Sequence, residues 1–271
     1  MVRPRLVFAT SSGFLLWALL NGQPTYAGDA SSVPLSRPAS SPPVLVFGFL
    51  GGFVHHDDRR HPAVKFVERL REDYPKDVEA AVFENRRYRD AYKIIRQRLD
   101  TDHDGTLSDA EKQPARILLF GNSWGGSAVV SLARRLNRDG IPVVLTIQVD
   151  SVAKPGNDDS VIPPNVRAAV NYYQTHGWVR GRRKIIAADP SRTKILGNYR
   201  LSYEKNPVTC KGFPWYDNIL TKTHVETECD PKVWSEIEAL VRRELPDTTS
   251  RPAEAGAPAS TTEGEGAAHR N

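Results

Sequence analysis

The chain contains 271 residues with a formal net charge of +5, which is only a modest basic excess. Its basic clusters are Arg86-Arg87, Arg134-Arg135 and Arg180 to Lys184. No nucleic-acid-binding motif accompanies them, so we expect solvated surfaces and no nucleic-acid partner. Contact with an anionic membrane surface or an anionic substrate stays open.

The first 27 residues have the pattern of a secretory signal. Arg3 and Arg5 precede an apolar stretch from Leu6 to Leu20, and Thr25-Tyr26-Ala27 offers a small-x-small cleavage site. A membrane-spanning helix needs about 20 apolar residues, and this stretch is shorter and interrupted. The pattern therefore predicts export, to the outside of the cell or to the periplasm.

Composition divides the rest of the chain into three parts. Residues 28–43 are rich in Ser and Pro and indicate a linker, whereas residues 246–271 indicate a disordered tail. Residues 44–245 are long enough for one domain with a sizeable core. We expect this domain to be a monomer.

Apolar runs and helical spacings alternate along the domain. Short apolar runs predict buried strands, and spacings of three and four predict helices. This alternation predicts an α/β fold with a mostly parallel sheet flanked by helices. The predicted strands are 44–47, 78–83, 117–120, 143–149, 185–188 and 195–201, and the predicted helices are 63–74, 88–99, 126–136, 166–173 and 231–245.

The segment Gly121-Asn122-Ser123-Trp124-Gly125 matches the G-x-S-x-G pattern between a predicted strand and a predicted helix. In that context a sharp turn lifts a serine hydroxyl above the sheet, and the glycines avoid collisions in the turn. The pattern therefore predicts that Ser123 is a nucleophile. At these residues the chain resembles the α/β-hydrolase superfamily, especially its lipases, esterases and thioesterases.

The resemblance covers roughly residues 44 to 243 and implies an oxyanion hole of two backbone N–H groups. One would belong to Trp124, the residue after the nucleophile. The other would come from the turn after the first core strand, where Gly48 to Gly52 lies. We choose Phe49 as this donor, with Leu50 as the alternative.

The family order of Ser, acid and His restricts the candidates for the base. His176, His224 and His269 follow the serine. His269 lies in the tail, and His176 is interpreted as a helix-end residue. His224 is expected in a loop before the last helix, where the family carries its base.

Two aspartates follow strands and could orient this histidine. Asp150 ends the strand 143–149, and Asp189 follows the strand 185–188. Carboxyl ends of parallel strands point towards the site crevice. We favour Asp150 because its strand is longer and more regular.

Cys210 and Cys229 are the two cysteines of the chain. Export to an oxidising compartment favours a disulfide between them over two buried thiols. Such a bridge would bracket His224 and hold its segment in place.

Residues 100 to 111 match the spacing of an EF-hand loop, with Gly105 at the sharp turn. Pro114 shortens the segment that would be the exiting helix, and no second loop is present to pair with it. We therefore expect weak, structural calcium binding, with Kd on the order of 10⁻⁴–10⁻³ M. The predicted ligands are Asp100, Asp102, Asp104, Thr106, Ser108 and Glu111.

Together these features predict an exported serine hydrolase that cleaves a carboxylic ester or thioester of a small molecule or lipid. Ser123 would attack, His224 would carry the proton and Asp150 would orient the imidazole. No organic cofactor is expected. The alternatives are an acyltransferase with the same triad and a non-catalytic calcium-binding protein.

Overall fold

Six parallel strands form the central sheet of the computed structural model, which describes residues 43–214 and 221–246. Their order is β2-β1-β3-β4-β6-β8, and each neighbouring pair runs parallel. A separate two-stranded sheet pairs β5 with β7. The strands are β1 (Val44–Leu50), β2 (Val78–Glu84), β3 (Ile117–Asn122), β4 (Val143–Val149), β5 (Val161–Ile162), β6 (Val166–Gln174), β7 (Ile186–Ala187) and β8 (Lys194–Leu201).

Helices cover both faces of the sheet. On one face, α1 and α6 pack their buried residues against the strands, and on the other face α2 and α4 do so. This explains why β1 and β3 are apolar at consecutive positions, since both sides of each strand are buried. The helices are α1 (Pro62–Asp73), α2 (Tyr88–Leu99), α3 (Asp109–Lys112), α4 (Trp124–Arg138), α5 (Lys222–Cys229) and α6 (Pro231–Arg242).

The strand order confirms the predicted fold class, a parallel sheet flanked by helices in one domain. The chain runs from β1 outwards to β2, returns to place β3 on the other side of β1, and then proceeds in the opposite direction. The direction of winding therefore reverses between β1 and β3. In open α/β sheets, ligands bind at such a reversal, beyond the carboxyl ends of the strands.

One predicted helix is wrong. The segment 166–173 was expected to be helical, but it forms β6, between β4 and β8. The two alanines of this segment and the spacing of its few polar residues resemble the sequence pattern of an amphipathic helix. Most of β6 is buried, so it has no regular alternation of apolar and polar positions that would mark it as a strand. His176 consequently follows a strand, and its interpretation as a helix-end residue is also wrong.

The expected signal segment 1–27, nearly all of the linker 28–43 and nearly all of the tail 246–271 lie outside the described residues, so they remain predictions. Within the described ranges, no helix combines the length and the apolarity needed to cross a membrane.

Candidate active site

Ser123 occupies a strained turn between β3 and α4. Its backbone has φ 52° and ψ −126°, a left-handed φ that non-glycine residues rarely adopt. A Cβ added to Gly125 would lie 2.0 Å from the carbonyl oxygen of Phe49, and one added to Gly121 would lie 2.5 Å from the carbonyl of Gly125. Only glycine fits at these two positions, so the G-x-S-x-G spacing follows from the geometry of the turn.

The loop after β1 lies directly against the serine. A Cβ added to Gly51 would come within 2.7 Å of the Cβ of Ser123. The N–H of Gly51 donates to the side-chain oxygen of Asn122 at 3.2 Å. The residue before the nucleophile thus fixes this loop.

The expected position of Phe49 needs correction. The structure extends β1 to Leu50, so Phe49 lies inside the sheet, fully buried, in register with Phe83 on β2 and Gly121 on β3. Strand pairing on both sides leaves no turn at Phe49. The turn begins at Gly51, two residues later than the sequence suggested.

His224 and Asp150 are brought together from positions 74 residues apart. Nδ1 of His224 lies 2.6 Å from Oδ2 of Asp150. Because Asp150 engages Nδ1, Nε2 is the ring nitrogen available to Ser123. His224 lies in the first turn of α5 and not in a loop as expected, because residues 222–229 form a helix of their own before α6.

Other donors hold the Asp150 carboxylate in place. It accepts hydrogen bonds from the N–H of Gly181 at 2.8 Å and from the side-chain amide of Gln174 at 2.8 Å. The side chain is buried, and its backbone φ is 42°. Asp189 instead caps an exposed turn, where it accepts a hydrogen bond from the hydroxyl of Ser191. Of the two candidate acids, Asp150 is the one in contact with His224.

A pocket of about 360 Å³ collects these groups at the carboxyl end of the sheet. Two depressions of about 550 and 780 Å³ lie elsewhere on the surface, and their linings contain no histidine. Apolar side chains form much of the wall of the 360 Å³ pocket. The lining residues are Gly51, Gly52, Val54, His61, Asn122, Ser123, Trp124, Val152, Val179, Phe213, Thr221, His224, Val225 and Glu228.

A second histidine and carboxylate, His61 and Glu228, also line this pocket. Nδ1 of His61 is hydrogen-bonded to Glu228, and both side chains are buried. Burial opposes protonation, but the hydrogen bond and the charge of Glu228 outweigh it and raise the pKa of His61. The sequence did not indicate this pair, because its members are 167 positions apart and belong to no motif.

A disulfide joins Cys210 to Cys229, with a Cα–Cα distance of 5.6 Å. It ties the segment before α5 to the C-terminal end of that helix. Cys210 also contacts the carbonyl of Val225, one residue after His224. The bridge therefore restrains the element that carries His224.

The acidic loop brings together three of its predicted ligands. Carboxylate oxygens of Asp100, Asp102 and Asp104 lie within 4.8 Å of one another. Gly105 makes the tight turn with φ 82°, and its N–H donates to Asp100 at 3.0 Å. Oδ1 of Asp100 is buried and has no hydrogen-bond partner among the described residues. The three carboxylates and this unpartnered oxygen fit a hard cation such as Ca²⁺.

Glu111 is not part of this cluster of three carboxylates. Its two carboxylate oxygens accept hydrogen bonds from the N–H and hydroxyl groups of Thr101 and Ser108. These donors, foremost the N–H of Ser108, lower the pKa of Glu111 to about 2. Ser108 and Glu111 together form a capping box at the start of α3. Through these hydrogen bonds Glu111 stabilises the C-terminal end of the loop 100–111.

Comparisons with solved structures give distant matches. An α/β-hydrolase enzyme from the metagenome of Lake Arreo, Spain, matches with 13% identity and a TM-score of 0.29 over 46% of this chain, and the chain spans only 40% of that enzyme. A thioesterase of the prodiginine biosynthetic pathway of Streptomyces coelicolor matches with 12% identity and a TM-score of 0.33, over 71% of this chain and 96% of the other.

A hyperthermophilic esterase from the archaeon Pyrobaculum calidifontis matches with 11% identity and a TM-score of 0.34, over 76% of this chain and 80% of the other. No protein-family model matches the sequence, and no curated protein does. Because all three TM-scores are low, the fold class rests on the sheet topology described above.

Proposed function

We propose that this protein is a serine hydrolase that cleaves a carboxylic ester or thioester through an acyl-enzyme. One observation carries the proposal: Ser123, in a strained strand-to-helix turn, shares a pocket with His224, whose Nδ1 is held by the buried carboxylate of Asp150. A nucleophile, a base and an orienting acid in this arrangement are the parts that acyl transfer through serine needs.

In this mechanism the Oγ of Ser123 attacks the carbonyl carbon while Nε2 of His224 takes the hydroxyl proton. Asp150 keeps the remaining imidazole proton on Nδ1 and stabilises the imidazolium that forms. His224 then gives its proton to the leaving alcohol or thiol. Water, activated by the same histidine, cleaves the acyl-enzyme in the second half of the reaction.

Two backbone N–H groups are suited to stabilise the oxyanion. The N–H of Trp124 opens α4, where N–H groups have no acceptor within the helix and the helix dipole favours negative charge. For the second donor we propose Gly52 in place of Phe49. The N–H of Gly51 is engaged by Asn122, and Gly52 is the next residue, with no hydrogen-bond acceptor for its N–H in the part of the chain described.

The pocket favours a substrate with a modest apolar acyl group. Its volume of about 360 Å³ is near the lower end of the range for small-ligand sites, about 300–1,000 Å³. Val54, Val152 and Phe213 supply apolar wall. Phe53 is 85% exposed and forms a T-shaped contact with the Trp124 ring, which extends the apolar surface beside the pocket.

Hydrolysis of a short activated ester tests this proposal. Purified protein should hydrolyse the ester, and Ser123→Ala should lose the activity while keeping its melting temperature. Ser131→Ala, on the same helix, is the matched control and should retain activity. Transfer of the acyl group to an added alcohol in place of water would favour the acyltransferase alternative, and full activity of Ser123→Ala would refute the serine mechanism.

We also propose that the loop 100–111 binds calcium weakly and structurally. Asp100, Asp102 and Asp104 would supply carboxylates, with the Thr106 carbonyl and Ser108 as further oxygen ligands. The cation would relieve repulsion among the three carboxylates that the loop holds together. Glu111 could join only by exchanging its hydrogen bonds to Thr101 and Ser108, which is a reason to expect low affinity. We further propose that the protein is exported and that it is a monomer.

A further inference from the structure

A cluster of two histidines and one glutamate lies beside the loop after β1. None of the three residues has a role in the proposed hydrolase mechanism. His55 and His56 come directly after the pocket-lining segment that ends at Val54, and Glu84 is the last residue of β2. The ligand-type atoms of these three side chains all lie within 4.8 Å of one another. Strand pairing of β1 with β2 brings them together across 28 positions.

The separations suit a tetrahedral metal ion. Nδ1 of His56 lies 3.0 Å from Oε1 of Glu84, and Nε2 of His55 lies 3.7 Å from the same oxygen. Metal–ligand bonds of about 2.0–2.1 Å in tetrahedral geometry place ligand atoms roughly 3.3–3.4 Å apart. The two observed distances bracket that value, so a small adjustment of exposed side chains would complete the site.

An outer carboxylate orients the first histidine. Nδ1 of His55 is hydrogen-bonded to Asp57, which directs Nε2 towards Glu84. Metal-binding histidines usually donate their second ring nitrogen to a carboxylate or carbonyl in this way, because the bond fixes the tautomer and the ring orientation.

The buried carboxylate of Glu84 has one oxygen, Oε1, facing the histidines and a second, Oε2, that accepts no hydrogen bond from the described residues. The side chain of Glu84 is 3% exposed. Arg87 forms a long ion pair of 3.8 Å with Oε2 and also donates to Asp90, so it compensates for the buried charge only in part. A buried carboxylate oxygen without a donor is costly unless a cation compensates for it.

We propose that His55, His56 and Glu84 bind one divalent transition-metal ion of the zinc class, with water completing the coordination. Two imidazoles and one carboxylate are ligands typical of zinc, whereas calcium prefers six to eight oxygens. This site is therefore chemically distinct from the acidic loop at 100–111.

Metal binding here would brace the loop that faces Ser123. Asn85, next to Glu84, already donates its side-chain amide to the carbonyls of Leu50 and Gly52, at 3.0 and 2.6 Å. An ion held by His55, His56 and Glu84 would add a second link from the end of β2 to the same loop. The metal site goes beyond the proposed hydrolase function and does not depend on it.

Zinc titration of untagged protein, first stripped with a chelator, tests the site. Calorimetry should show one saturable equivalent of Zn²⁺, and bound Co²⁺ should show the intense visible absorption of a tetrahedral site. His55→Ala and Glu84→Gln each remove a direct ligand and should weaken binding more than Asp57→Asn, which should weaken it by about 10- to 100-fold, as second-sphere changes do. His176→Ala, outside the cluster, should bind zinc as the unchanged protein does.

Because His55 is 60% exposed, His55→Ala should fold normally even if Glu84→Gln does not. The absence of a saturable Zn²⁺ equivalent would overturn the proposal. Equal zinc affinity in the unchanged protein and His55→Ala would also overturn it. Neither result would bear on the Ser123 chemistry, which ester hydrolysis measures separately.

Discussion

The side-chain oxygen of Asn122 accepts a hydrogen bond from the N–H of Gly51 at 3.2 Å, so the residue preceding the nucleophile holds the loop that faces it. The bond is buried and links the ends of β3 and β1, the two strands at which the sheet reverses its direction of winding. The proposed oxyanion donor Gly52 follows immediately. Asn122 is therefore expected to position this donor.

Asn122→Ala should lower kcat about tenfold and change KM much less. The substitution leaves the Gly51 N–H without its buried acceptor, which costs about 1–3 kcal/mol in the loop, and it loosens a group needed in the transition state. Steady-state kinetics on a short activated ester measure both constants. An unchanged kcat, or an effect confined to KM, would contradict the positioning role.

Asp150→Asn should reduce kcat on the order of 10⁴-fold, because the amide cannot hold the required tautomer of the histidine. Asp189→Asn is the matched control, since Asp189 lies in an exposed turn and accepts hydrogen bonds from Ser191. That variant should keep nearly full activity. The opposite ranking of the two variants would reassign the acid.

The His61–Glu228 pair should make stability depend on pH. The folded protein raises the pKa of His61 above its unfolded value of about 6.5. Its stabilisation is therefore fully present below pH 6.5 or so and is lost as the pH rises through the folded pKa. Asp58 also favours protonation of His61, whereas Arg60 opposes it.

Urea unfolding of the unchanged protein and His61→Gln, between pH 5 and 9 with chelator present, measures this effect. The difference in unfolding free energy should be largest at the acid end and should shrink as the pH rises. A difference that grows with pH would mean that the pKa of His61 is lowered in the folded state.

Calcium should raise the melting temperature through the loop 100–111. At about ten times a Kd of 10⁻³ M, binding stabilises by roughly 1.4 kcal/mol, or about 3–6 °C for a domain of this size. Magnesium should do less, because it dehydrates reluctantly. Asp102→Asn removes one of the three clustered carboxylates and should abolish most of the shift. A melting curve that does not respond to calcium would leave the loop as an acidic turn.

Local patterns were sufficient to predict most helices and strands and the turn that carries Ser123. Strand β4 and helix α2 match their predicted bounds, because β4 is rich in Val, Leu and Ile and α2 has a clear apolar stripe. His224 could be selected because only three histidines follow Ser123, and Asp150 because it ends a long predicted strand. Their direct contact could not be derived from the sequence, since it depends on how α5 packs across the sheet.

The errors arise where distant parts of the chain determine the local structure. Strand β6 owes its extended form to pairing on both sides, which no short window of sequence reveals. Pairing with β2 likewise extends β1 to Leu50, and pairing of Phe49 on both sides excludes it from the turn. The pair His61 and Glu228 and the cluster around Glu84 both join residues that are remote in sequence.

Covalent labelling with a fluorophosphonate, followed by mass spectrometry of the digested protein, tests the central proposal most directly. The account predicts one adduct, on the peptide that contains Ser123. Labelling should be lost in Ser123→Ala and slowed strongly in His224→Gln, because the histidine activates the hydroxyl. Absence of labelling in folded protein, or an adduct that persists unchanged in Ser123→Ala, would contradict the assignment of Ser123 as the nucleophile.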